Sequence, residues 1–321
     1  MPPPPPPPRP PPPPPPPPRP PPPRPPRPSP PPAAHHEALL SLVQERGREV
    51  KALAPLLTTK VDQYLLKSLP NLELVANYAV GVDNVDLEAA RARNVAVTNT
   101  PDVLTEATAD LTWALILAVA RRLREGEELA RSGEWTGWHP RQLRGKELAG
   151  KTLGILGLGR IGEAVARRAL AFEMDVIYFN RSARSELEKQ SSATRYPLDK
   201  VLDKADVVSI HLPLTEETRH LIGADQIARM KPDAILVNTA RGPIIDENAL
   251  ADALSSGHLF GAGLDVHEEE PEIHPRLAAS DRVVLLPHLG SATVEARDAM
   301  ARIVAENVEA VLRGETPPTD V

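Results

Sequence analysis

Gly157, Gly159 and Gly162 have the spacing of a turn that brings backbone N–H groups against a phosphate. They follow a short apolar run at 152–156 and open a helical pattern that runs to 171, the setting that gives such a triplet meaning. There the first glycine permits the tight turn, the second lets a pyrophosphate approach, and the third lets helix and strand pack closely. The helix N-terminus adds partial positive charge, and Arg160 and Ile161 complete the loop. Four later segments carry the remaining chemistry: 238–242 with Thr239 and Arg241, 264–266 with Asp265, Glu268 to Glu270 before Pro271, and 287–291 with His288 and Gly290. A guanidinium fork suits a carboxylate, and an imidazole changes protonation near neutral pH. Three of the four segments fall at or just past the C-terminal end of a strand, where open α/β sheets bind ligands.

The end of the next strand, 176–179, bears on the cofactor. An NAD site usually places an acid there for the ribose hydroxyls. This chain has Asn180, Arg181 and Ser182 instead, with Arg184 nearby, and Asp175 comes too early to reach the ribose. A 2′-phosphate would meet no carboxylate and would find Arg181, so NADPH is expected. The alternative, Arg181 as an ordinary surface cation, leaves NADH open.

The elements that must position these groups follow from periodicity. Apolar runs at 207–211, 234–238, 261–266 and 283–286 alternate with helical patterns at 198–204, 224–230 and 247–256. That is a doubly wound, parallel α/β cofactor domain, assigned to 102–288. Asp102 is the expected N-cap of a long helix reaching 121, and Ser291 that of a second helix stopped at Gly314. Runs at 56–57, 72–75 and 95–98 read as strands of a smaller α/β domain, 35–101 plus 289–321, with a substrate cleft between the two domains.

Composition narrows the rest. Of 39 prolines, 26 lie between Pro2 and Pro32. Residues 1–34 therefore read as a disordered polyproline tail, whose stretch from Pro2 to Pro32 would be about 95 Å long if extended at ~3.1 Å per residue. It is either a solvated extension or, with its four arginines, a ligand for an SH3-like domain. Without those arginines the chain carries 33 basic against 43 acidic side chains, a poor match for nucleic acid. Cysteine is absent, which excludes disulfides, thiolate metal sites and a cysteine nucleophile. No metal site is expected, His35 and His36 being isolated. The longest apolar run, 114–120, is far short of the ~18 residues of a membrane span, and no apolar stretch follows Met1. No membrane association and a cytoplasmic location are expected.

Together the motifs closely resemble the D-isomer-specific 2-hydroxyacid dehydrogenase family, in wording its glyoxylate/hydroxypyruvate reductase branch. The resemblance runs from about 38 to 315 and includes the segments 75–83 and 105–110 in the family's order. It implies a Rossmann cofactor domain with a flavodoxin-like substrate domain. It implies reduction of small 2-oxo acids, with His288 as acid/base, Glu270 as its carboxylate partner and Arg241 gripping the substrate carboxylate. The backbone N–H groups of Val80 and Gly81 resemble the family's carboxylate cradle, and Arg241 and His288 complete the substrate contacts. Thr108, Thr239, Asp265 and Gly290 join the glycine loop as implied cofactor contacts. The resemblance also implies a homodimer through the cofactor domains, with Trp138 either near the partner's substrate site or simply packing.

One departure stands out. The family opens with a strand and helix before anything like Leu39, and here proline occupies that place. Proline cannot donate to a ladder, so an exposed strand edge and lower stability are expected, with the chemistry intact. Two other readings stay open on the sequence: a dehydrogenase of another small anion such as formate or phosphite, and a weakly catalytic NAD(P)H-sensing binding protein.

Overall fold

The computed structural model describes residues 32–184, 188 and 193–321, with side chains from residue 38. Residues 1–31, and with them the expected tail and its docking role, lie outside the described residues. Helix α1 (Pro32–Arg46) begins three residues inside the segment assigned to the tail. Proline suits a first helical position, where no N–H is needed.

The smaller lobe is built on a parallel three-stranded sheet in the order β1 (Ala52–Leu53), β2 (Leu74–Ala76), β3 (Ala96–Thr98). The first strand is not at 56–57, because Pro55 cannot donate to a ladder and Leu56 makes only a single bridge to Tyr78. Helices α2 (Gln63–Ser68) and α3 (Leu87–Ala92) start where the Asp62 and Asp86 carboxylates accept backbone N–H groups. Their Leu65, Leu66 and Ala90 pack with Val75 and Val97 into a small core that also takes in Val43 of α1. β1 is a two-residue edge. The other edge receives the chain's end: Thr98 bridges Asp320 in antiparallel fashion, and Val321 N–H donates to Val97 O at 2.9 Å.

Two helices then lead to the larger lobe, α4 (Thr105–Ala120) and α5 (Leu123–Ser132). Asp102 is not the cap of α4. It sits in a left-handed turn (φ +71°), and its carboxylate lies 2.5 Å from Arg160 Nε. Seven parallel strands follow: β4 (Thr152–Leu156), β5 (Asp175–Phe179), β6 (Thr194–Arg195), β7 (Val207–Ile210), β8 (Ile235–Asn238), β9 (Gly261–Leu264) and β10 (Val283–Leu285). Their order is β10-β9-β8-β7-β4-β5-β6. The winding reverses between β4 and β7, which opens a crevice at their C-terminal ends.

Leu153, Ile155, Leu156, Val208, Ile210 and Leu236 are fully buried, as expected of strands covered on both faces. One face packs against α4 and α6 (Arg160–Ala169), through Ile116 and Val165. The other packs against α7 (Leu198–Lys204), α8 (Ala224–Arg229) and α9 (Glu247–Ser255). After the short α10 (Pro275–Ala278), α11 (Val294–Leu312) returns to the small lobe. Its cap is Thr293, which accepts from Ala296 N–H, and not Ser291. Leu104, Ala296 and Met300 are buried where the lobes meet, with Tyr78, Val80 and Ile161 packed around them. Among the described residues no helix is long and apolar enough to cross a membrane, and no cluster of three or more Asp, Glu or His could hold a metal ion.

Candidate active site

The glycine loop joins β4 to α6 at the crevice. Gly157 is left-handed (φ +101°), and a Cβ on it would lie 2.6 Å from His211 O. A Cβ on Gly162 would lie 2.2 Å from Gly157 O, so neither position admits a side chain. At Gly159 a Cβ would meet nothing within 4 Å, so this face of the loop is open. No side chain caps α6, which leaves N–H groups of its first turn available to an anion. The Asn180 Oδ1 accepts from Leu158 N–H at 2.7 Å and braces the loop. Arg181 and Ser182 are exposed at the same edge. Arg195, which the sequence did not single out, donates to the carbonyls of Asn180 (2.9 Å) and Arg181 (2.8 Å) and shapes that edge. These features fit a dinucleotide phosphate chain.

Beyond β8, Asn238 clamps its own turn: Oδ1 accepts from Ala240 N–H and Nδ2 donates to Arg241 O. The next turn passes so close to the strand beside it that a Cβ on Gly242 would lie 1.9 Å from His267 O. Arg241 is thereby aimed across the cleft at the small lobe. Its Nε and Nη2 donate to Asp83 at 3.0 and 2.9 Å, and a Cβ on Gly81 would lie 1.9 Å from Nη2. The carbonyls of Val80 and Gly81 accept from Asn99 Nδ2 (2.9 Å) and Asn77 Nδ2 (2.8 Å). The N–H groups of Val80 and Gly81 donate to no other described residue. Neither asparagine was expected to matter, and both orient the cradle.

His288 Nδ1 lies 2.9 Å from Glu270 Oε2, while Glu270 Oε1 accepts from His267 N–H at 3.1 Å. His288 itself is left-handed (φ +55°), which for a side chain of this size costs roughly 1–2 kcal/mol. Asp265 offsets that cost. It is fully buried, its two carboxylate oxygens accept from Leu289 N–H (2.6 Å) and Gly290 N–H (2.8 Å), and its carbonyl accepts from His288 N–H. Hydrogen bonds to a charged acceptor contribute about 1.5–3 kcal/mol each, so the grip exceeds the strain.

Residues 113–290 match the model of the D-isomer specific 2-hydroxyacid dehydrogenase, NAD binding domain. The chain is 52% identical over 278 residues to a glyoxylate reductase of Thermococcus litoralis, covering 85% of this chain and 84% of that one. Its fold matches a crystal structure from Thermus thermophilus with a TM-score of 0.83 at 48% identity, covering 88% and 89% of the two chains. It also matches an NADPH-dependent glyoxylate/hydroxypyruvate reductase of Sinorhizobium meliloti, solved with NADP and malonate. That match has a TM-score of 0.82 at 39% identity and covers 88% and 86%. The chain belongs to the D-isomer-specific 2-hydroxyacid dehydrogenase family.

Within this dehydrogenase, three residues expected to touch the cofactor have their polar atoms engaged inside the protein. The Thr108 hydroxyl donates to Gly290 O at 3.0 Å, and Thr239 pairs with the Thr112 hydroxyl at 2.9 Å. Asp265 holds the His288 turn in the way just described. Thr108 and Asp265 thus fix the loop that presents His288. The sequence could name these residues but not their partners, which lie 182 and 25 positions away. Three further histidines are committed elsewhere: His211 to Ser209, His220 to Glu268 and His267 to Leu286 O. Burial pushes His211 down to about 3, so it stays neutral.

Burial also pushes the Glu270 carboxyl up, but hydrogen bonding and charge from His288 outweigh it and leave the group below its ordinary value. Burial and the Arg241 guanidinium act on Asp83 in the same opposed way, with the same lowered outcome. At Asp265 burial prevails over its two N–H donors and raises the carboxyl. Glu270 and Asp83, both lowered, are thus carboxylates at neutral pH.

Proposed function

We propose that this dehydrogenase reduces small 2-oxo acids, glyoxylate and hydroxypyruvate foremost, to 2-hydroxy acids with NADPH as the preferred reductant. The observation that carries the reading is Arg241 reaching across the cleft to Asp83, beside Val80 and Gly81, with the Glu270–His288 pair near enough for His288 to act on Asp83 electrostatically. When bound, the nicotinamide supplies the hydride. The substrate carboxylate would be received by the Val80 and Gly81 N–H groups and by the Arg241 fork, which also polarises the carbonyl. His288 would give its proton from Nε2 to the carbonyl oxygen, while Glu270 on Nδ1 fixes the ring. Small side chains suit a cradle so close to Arg241. The relatives named above support the substrate class, and the one solved with NADP supports the cofactor.

Gly157, Gly159, Arg160, Ile161 and Gly162 would hold the pyrophosphate, with Gly290 close to the nicotinamide end. Asn180, Arg181 and Ser182 would face the ribose, where Arg181 meets a 2′-phosphate. The reading extends to a homodimer through the cofactor lobes, for which the exposed Trp135 and Trp138 of the 133–140 loop supply apolar surface. It also extends to a cytoplasmic location, since nothing in the chain depends on disulfides.

The decisive experiment follows absorbance at 340 nm with NADPH or NADH against glyoxylate, hydroxypyruvate and pyruvate. NADPH with either of the first two should turn over fastest, and His288→Ala should lose about 10²- to 10⁴-fold in kcat with NADPH affinity unchanged. Equal turnover by the His288 variant would end the reading. An NADH preference would end only the cofactor assignment.

A further inference from the structure

The guanidinium of Arg241 carries five N–H groups, and three of them have partners among the described residues. Nε donates to both oxygens of Asp83 (3.0 and 3.1 Å), Nη2 to Asp83 Oδ1 (2.9 Å), and Nη1 to Ala240 O (2.9 Å). Asp83 therefore takes the side edge of the planar group. One hydrogen on Nη1 and one on Nη2 remain, and with Asp83 on the side edge the Nη1/Nη2 tip can still meet the two oxygens of a carboxylate. Gly81 presses against Nη2 from the small lobe and leaves the group no room to swing that way.

The geometry points to Asp83 as a positioning residue of the reduction: it locks Arg241 across the cleft so that only the tip fork meets the 2-oxo acid, while weakening the pull on the substrate anion. This assignment rests on the reading of Arg241 given above. The opposing possibility is that Asp83 stands in the substrate's place and is displaced on binding. The edge it occupies decides against that, because the side edge and the tip of a guanidinium can be filled together. The charges give the sign of the effect. Asp83 is 32% exposed and Arg241 23%, so solvent screens the pair only partly, and the carboxylate subtracts from the positive field that an arriving anion feels.

A structural contact would lower kcat and raise KM together, or lower stability alone. A positioning carboxylate with this charge should split the two constants. Asp83→Asn should reduce kcat about 10-fold or more, because a small displacement of Arg241 is costly at a reacting centre. KM for glyoxylate should stay equal or fall, and oxamate titrated into the NADPH complex should bind at least as tightly as in wild type. NADPH affinity should not move, and Tm at neutral pH should fall only by the small contribution of the Asp83–Arg241 pair. A lowered KM with unchanged kcat would overturn the assignment in favour of displacement.

Asp83→Ala, Arg241→Ala and their combination complete the test. The double variant should lose no more than Arg241→Ala alone, since the aspartate acts only through the arginine. Additive losses on a crippled Arg241→Ala enzyme would overturn the role of Asp83 and leave the site intact. A fully active Arg241→Ala enzyme would overturn the reading of the site as well. Should Asp83→Ala fail to fold, Asp83→Asn carries the same cycle.

Discussion

The two lobes hold their shares of the site by different means. In the larger lobe the His288 turn is fastened from beneath by buried groups: Asp265 is fully buried and Thr108 nearly so, and both bond to the turn's backbone. The small lobe has strands of only two and three residues, and its cradle is fixed by side-chain amides from within its own segment, Asn77 and Asn99. The difference follows from what each part must do. A proton donor needs one fixed direction, which a seven-stranded frame supplies. A carboxylate cradle, as proposed for Val80 and Gly81, must keep the shape of its own loop, which the two amides supply. Arg241 reaches from one lobe to the other, to Asp83.

The sharpest way to break this contrast is Gly81→Ala. A methyl 1.9 Å from Nη2 must drive the guanidinium out of the cleft, so kcat/KM should fall on the order of 100-fold with NADPH affinity intact. Full activity would mean that the substrate carboxylate is held elsewhere. Asp265→Ala comes next. It strips one buried and one part-buried N–H group of their acceptor, which should cost about 2 kcal/mol or more in urea unfolding and about 10-fold in kcat. Were stability lost without kcat, the fastening would be structural only. Asn99→Ala should raise KM for glyoxylate roughly 3- to 10-fold with kcat retained, the effect of one lost orienting hydrogen bond.

The smallest effect is that of acid. Asp83 and Glu270 have lowered folded values, so their contribution to stability is complete above the ordinary carboxylate range, near 4. It is lost as pH falls through the lowered values. Thermal melts should therefore drop more steeply in acid for wild type than for Asp83→Asn or Glu270→Gln. Parallel curves would remove these pairs from the account.

The larger lobe was legible in the sequence because its signals are local. A strand, a glycine turn and a helix follow one another, and four strand ends carry residues of distinct chemistry. Errors arose where a partner is distant or where two neighbours compete. Ser291 and Thr293 both suit an N-cap, and only the backbone direction selects Thr293. Leu56 and Leu57 look more strand-like than Ala52 and Leu53, but the proline before them ends the ladder. Arg241, Glu270 and His288 could be picked out by type and order, whereas Asp83, Asn77 and Arg195 show their use only through contacts. Asp265 was visible as a residue but not as the brace of a strained histidine.

The last three residues have a consequence for anyone who trims this chain. Thr319 accepts from Asn99 N–H through its carbonyl and donates from its hydroxyl to Asn99 O, and Asn307 of the final helix pins it there. Asn99 in turn holds the carbonyl of Val80. A polypeptide shortened by a few residues would keep every group that does chemistry and still grip its substrate poorly, because the hand that steadies the amides would have let go.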